Sequence, residues 1–188
     1  MRSLPQSIEA EQSVIGSMII DKGAIAKVLE GLEEEDFYRD GHKIIYRTIL
    51  EMFRNDIAID LLTLLEYLKS TDMLERAGGV TYITELSSSV PTTANLDAYI
   101  KIVSDKSTLR KLIKSSTAII EESYNNQSNV EDVVDSAEKK IFNIAEKRTS
   151  KDFEPLADVL ERGFAQIEKL FNDKGSVTGV PSGFTDLD

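Results

Sequence analysis

"LDAYIKIVSDKSTLRKLIKSSTAIIEESY", Leu96 to Tyr124, is followed by "NNQSN" and then by "VEDVVDSAEKKIFNIAEKR", Val130 to Arg148. The first run has neither Gly nor Pro. Pro91 breaks the chain before it, and Thr93 or Asn95 can cap its start, so the spacing predicts one long helix. In the second run Val130, Val133 or Val134, Ala137, Ile141, and Ile144 or Ala145 recur at heptad-like intervals. Its acids stand at the start, with Lys147 and Arg148 at the end, as the helix dipole favours. Two long helices joined by a short polar turn must run antiparallel. The first arm carries Tyr99, Ile100, Ile102, Val103, Leu109, Leu112, Ile113, Ile119 and Ile120, a stripe wider than one partner helix can cover. Part of it is therefore expected to bury against the rest of the chain or against another subunit.

Upstream, the same 3.6-residue period recurs in shorter pieces. Ser7 can cap "IEAEQSVIGSMII", where Ile8, Val14, Ile15, Met18 and Ile19 suit one face. Asp21 and Gly31 bracket "KGAIAKVLE", and "HKIIYRTILEMF" aligns Ile45, Ile49, Met52 and Phe53. Asp60 caps "LLTLLEYLK", with Leu61, Leu64, Leu65 and Leu68 in phase, and "GGVTYITEL" begins on a Gly78-Gly79 turn. Strand-type alternation is scarce, so the fold class is all-α: a compact multi-helix head over residues 1–92, a helical hairpin over 93–149 and a linker over 150–177. The linker's "LADVLERGFAQIEKLFND" sets Leu156, Val159, Leu160, Phe164, Ile167, Leu170 and Phe171 on one face with no evident partner, which usually marks an interaction site. Residues 178–188, "TGVPSGFTDLD", have the turn-rich character of a lead-in to another packed element.

Composition narrows the function. The 188 residues hold 22 basic and 33 acidic groups, a net charge of −11. Such a surface repels polyanions and argues for protein partners over nucleic acid. No apolar run approaches the ~20 residues that cross a bilayer, so no membrane span is expected. Cysteine is absent, which excludes disulfides and thiolate metal sites and suits a cytoplasmic location. No glycine begins a phosphate-cradling loop ending in Lys-Ser or Lys-Thr, and no catalytic constellation is visible, so no catalytic residue, cofactor or metal is assigned to this chain. The single histidine, His42, reads as a surface or capping residue. "EEED" at Glu33 to Asp36 reads as a solvated acidic turn. Lys101, Lys106, Arg110, Lys111 and Lys114 read as a solvated or salt-bridged face.

Several ordered blocks together resemble one family, the N-terminal domain and linker of bacterial replicative DNA helicases of the DnaB type. "SIEAEQSVIGSMIID" is similar to its opening helix, and "EDFY" with His42 to its second signature. Asp60 in "IDLLTL", then "GGVTYITEL", "VPTTANLDAYIKIV" and "LRKLI", come in the family's order. "TGVPSGFTDLD" is similar to the approach to the RecA-like ATPase core, with Ser182 where threonine is commoner.

The resemblance implies that N-terminal domains pair through their hairpins, that three pairs form a collar on a hexameric ring, and that the collar recruits the C-terminal domain of primase. It implies an ATP-dependent 5'-3' helicase as the whole protein, with ATP and Mg held by the domain missing here. DNA would be met only through that domain, and there is room for a helicase loader. For self-association the residues are Ile113, Ile119, Val134, Ile141 and Ile144. For primase docking they are Glu9, Tyr82, Ile113 and Ile119. For docking of the linker helix on a neighbouring ATPase domain they are Leu160, Phe164, Ile167 and Phe171. The alternative is a stand-alone all-α adaptor that copies the collar to bind primase or a loader.

Overall fold

The computed structural model describes residues 3–88, 94–124 and 129–149, together with Leu160 and Phe164. Residues Met1–Lys151 form one compact unit and Asp152–Asp188 a second. The first unit is built from seven α-helices with one 3-10 turn, and no strand occurs among the described residues: α1 (Ile8–Ile20), α2 (Lys22–Gly31), the 3-10 turn Glu34–Asp36, α3 (Asp40–Arg54), α4 (Leu61–Ser70), α5 (Gly79–Ser88), α6 (Leu96–Tyr124) and α7 (Val130–Thr149). None of these helices is long and apolar enough to cross a membrane.

Helix α1 is the axis of the head. Ala10, Glu11, Val14, Ile15, Gly16, Ser17, Met18 and Ile19 are all buried, so it is enclosed on most sides. Ser7 caps it by accepting from the Ala10 amide at 3.4 Å. Asp21 ends α1 in an extended conformation and at once caps α2, accepting from the Gly23 amide at 2.8 Å. One residue thus serves two helix ends. Asp60 caps α4 through a reciprocal pair with Thr63.

Helix α3 buries Ile44, Ile45, Tyr46, Ile49 and Met52. Phe53, expected on that stripe, is instead exposed in the last turn of the helix. The surplus stripe on α6 is explained by the head. Leu96 and Val103 are buried in the core, and Tyr99 and Ile100 pack against it. A methyl group added at Gly31 would lie 2.5 Å from Ile100 Cγ2, so glycine there lets α2 and α6 close together. The first turns of α6 are therefore a wall of the head, and only its remainder pairs with α7.

Candidate functional site

Two places in the first unit concentrate interaction chemistry: a polar cluster under α1, α3 and α5, and the apolar outer faces of the α6/α7 hairpin.

The cluster starts with Glu11, in the first turn of α1 and only 2% exposed, and His42, in the first turn of α3 and fully buried. Burying a carboxylate is costly unless its oxygens are hydrogen-bonded. Glu11 accepts from the Tyr38 amide at 2.7 Å, from the Arg39 amide at 3.4 Å and from His42 Nδ1 at 2.7 Å. His42 Nε2 stands 2.6 Å from the Tyr82 hydroxyl, with the two rings stacked nearly parallel. Gln12 Nε2 donates to the same hydroxyl at 3.1 Å, and Arg39 Nη1 at 2.9 Å. A phenol oxygen has one proton to give and two lone pairs. All are used when Tyr82 donates to Nε2 and accepts from Gln12 and Arg39, which puts the imidazole hydrogen on Nδ1, facing Glu11. The Arg39 guanidinium also lies over the Tyr82 ring, 4.9 Å from its centre.

His42 is thus no surface or capping residue. It lies on the buried stripe with Ile45, Ile49 and Met52, at spacings of three and four, and the polar groups of α1 and α5 satisfy both its nitrogens. Nor is Asp36 part of a solvated acidic turn. It is buried, and Ser107 Oγ and Lys111 Nζ donate to its Oδ1 at 2.7 and 2.6 Å, while the Glu33 amide donates to Oδ2 at 2.9 Å. Burial pushes the Asp36 carboxyl up, but the hydrogen bonds from Lys111, Glu33 and Ser107 and the Lys111 charge together outweigh it. The group sits below the ordinary carboxylate value. Arg110 donates to the carbonyls of Pro5 and Asp36 and lies 5.6 Å from the Tyr38 ring centre. Of the basic stretch on α6, then, Arg110 and Lys111 clamp the N-terminal segment and the 3-10 turn onto the hairpin.

On the hairpin, Ile102, Leu109, Ile113, Ile120 and Tyr124 of α6 and Val130, Val134, Ile141 and Phe142 of α7 are exposed large apolar residues. Ile119 and Ile144 are half-buried. A polar clip joins the two arms: Glu122 Oε2 accepts from Ser136 Oγ at 3.0 Å and from Lys140 Nζ at 2.6 Å. Six residues separate Ile113 from Ile119, which places them about 120° apart round α6. Glu9 is exposed in the first turn of α1, one turn before Gln12, and Tyr82 is half-buried with its hydroxyl committed. In the second unit Leu160 and Phe164 are helical and exposed, at 50% and 68%. Ile167 and Phe171 lie outside the described residues.

Sequence reading passed over Glu11, Gln12 and Arg39. The signal for Glu11 was present: it shares a face with Val14, Ile15 and Met18, and a charge on an apolar stripe is buried only with a partner. Arg39 left no comparable trace.

Residues 3–105 match the family model described as the DnaB-like helicase N-terminal domain. The chain belongs to this family. Among DnaB-type relatives, it is 42% identical over 184 residues to the replicative DNA helicase DnaC of Bacillus subtilis and 39% identical to the replicative DNA helicase DnaB of Geobacillus stearothermophilus. Each alignment covers 98% of this chain and 40% of the relative, so the chain spans about two fifths of the length of these helicases. The solved N-terminal domain of the DnaB helicase from Mycobacterium tuberculosis superposes with a TM-score of 0.71 at 38% identity, covering 75% of this chain and 99% of that one. A solved DnaB-like replicative helicase, described with its interactions with primase, superposes with a TM-score of 0.67 at 29% identity, covering 97% of this chain and 40% of that one.

Proposed function

We propose that this chain is the scaffold and recruitment portion of a replicative helicase, and that it works by docking and not by catalysis. The observation that carries this is the row of exposed apolar side chains on both arms of the hairpin, Ile113 on α6 and Val134 and Ile141 on α7 among them. Large apolar residues gathered on one rigid element and left in water mark a protein interface. A second copy of the hairpin is the occupant that fits, since the same surface on two copies can close on itself about a twofold axis. Ile113, Val134 and Ile141 stand at the pairing surface, with Ile119 and Ile144 supporting them from the half-buried side. Three such pairs would make a collar on a hexamer.

The collar's task in this reading is to hold the C-terminal domain of primase beside the helicase, through Glu9, Tyr82, Ile113 and Ile119. The solved DnaB-like replicative helicase described with its interactions with primase supports primase as the partner. Leu160 and Phe164, with Ile167 and Phe171, would seat the linker helix on a neighbouring ATPase domain. ATP, Mg and strand separation fall to the part of a helicase of the relatives' length that lies beyond this chain.

Sedimentation equilibrium tests the pairing. Association at tens of micromolar that Ile141→Asp weakens, with helicity unchanged by circular dichroism, is the expected result. A strictly monomeric wild-type chain would refute hairpin pairing.

A further inference from the structure

Arg39 is fixed at both ends by the buried cluster. Its backbone amide donates to Glu11 Oε2 at 3.4 Å, and its Nη1 donates to the Tyr82 hydroxyl at 2.9 Å, with the guanidinium stacked on the ring. Tyr82 is held in turn by His42, and His42 by Glu11. The side chain is nonetheless exposed, and it makes no ion pair with any described residue. Its neighbour Asp40 is committed to Lys43 at 3.0 Å. An exposed arginine ordinarily loses much rotamer freedom on binding a partner. Here that loss is already met within the head, and the Nη1 bond to Tyr82 is the one hydrogen bond of the fork found among the described residues.

We propose that Arg39 is a carboxylate-receiving anchor, aimed by Glu11, His42 and Tyr82, and that it takes an Asp or Glu side chain of the docked protein. The proposal rests on the recruitment reading and gives it a chemical contact. The Tyr82 hydroxyl is saturated, so a partner meets the ring and the free edge of the guanidinium. A single carboxylate fits that edge in a paired geometry. A nucleic-acid backbone would bring further phosphates against Asp40, Glu35 and the rest of a chain of net charge −11.

The test is a calorimetric titration of the primase C-terminal domain from the same bacterium into the 188-residue chain, its Arg39→Lys variant and its Arg39→Glu variant. Arg39→Glu is expected to weaken binding about 10- to 100-fold and to flatten its salt dependence, and Arg39→Lys to weaken it several-fold by losing the fork and the stack. Unchanged circular dichroism and melting would place these losses at the contact. Exposed acids of the primase domain are then reversed to Lys one at a time, and recovery of Arg39→Glu binding by one of them identifies the partner carboxylate. Wild-type chain that does not bind overturns the recruitment reading and the anchor with it. Wild-type binding with Arg39→Glu within twofold overturns the anchor alone, as does failure of every reversal to restore binding.

Discussion

His42 Nδ1 lies 2.7 Å from Glu11 Oε2, and neither side chain is open to solvent. The pair joins the first turn of α1 to the first turn of α3, and through Tyr82 it reaches α5. Three helices that approach from different parts of the sequence are therefore registered by hydrogen bonds as well as by packing.

Removing one partner of such a buried pair leaves the other unsatisfied. Glu11→Ala strands the Tyr38 amide and His42 Nδ1 together, and it is expected to cost about 3 kcal/mol in urea unfolding. Glu11→Leu combined with His42→Phe should cost less than the two single changes added together. Strict additivity would show that the two residues are not coupled.

The Asp36 carboxyl is held below its ordinary value of 3.8 in the folded chain. Its contribution to stability is fully present above that value, where the unfolded chain is also ionised, and is lost as pH falls through the lower folded value. Lys111→Met removes a donor and a charge that both lower the Asp36 carboxyl, so the Asp36 titration should move upward in a carbon-detected NMR experiment. A stability loss of about 1 to 2 kcal/mol at neutral pH should accompany it, moderated by the partial exposure of Lys111. A titration that stays in place would mean that Lys111 does not stabilise the carboxylate.

Gly78 has φ +114°, and a Cβ there would meet Tyr82 Cδ1 at 2.5 Å. Gly78→Ala is expected to destabilise the chain by about 1 to 3 kcal/mol and to displace the Tyr82 ring. Loss of the nuclear Overhauser contacts between Tyr82 and His42 would report the displacement. Persistence of those contacts with unchanged stability would contradict the packing described for this turn.

Val134 and Ile141 are both exposed on α7, two turns apart. Val134→Asp should raise the dissociation constant of the paired hairpin at least about tenfold while leaving helicity intact. A variant that unfolds would place Val134 in the interior. Glu122→Gln, which weakens the clip to Lys140, should loosen the far end of the hairpin, seen as faster amide exchange in α7.

The helices, their caps and the hairpin were legible in the order of residues alone, because each rests on groups within four residues of one another. Ser7, Asp21 and Asp60 cap the helices they precede, and the apolar period over Leu96–Tyr124 matches the helix observed there. The same pattern left a surplus stripe on α6, which the structure divides between the wall of the head and the outer face. The partners of Glu11, Asp36, Arg39 and His42 emerged only from the packed fold. Glu11 meets His42 across 31 positions, and Asp36 meets Lys111 across 75. Local periodicity shows that a charged side chain stands on a buried stripe, but its partner is set by which helix ends converge there, and that depends on how the whole core packs.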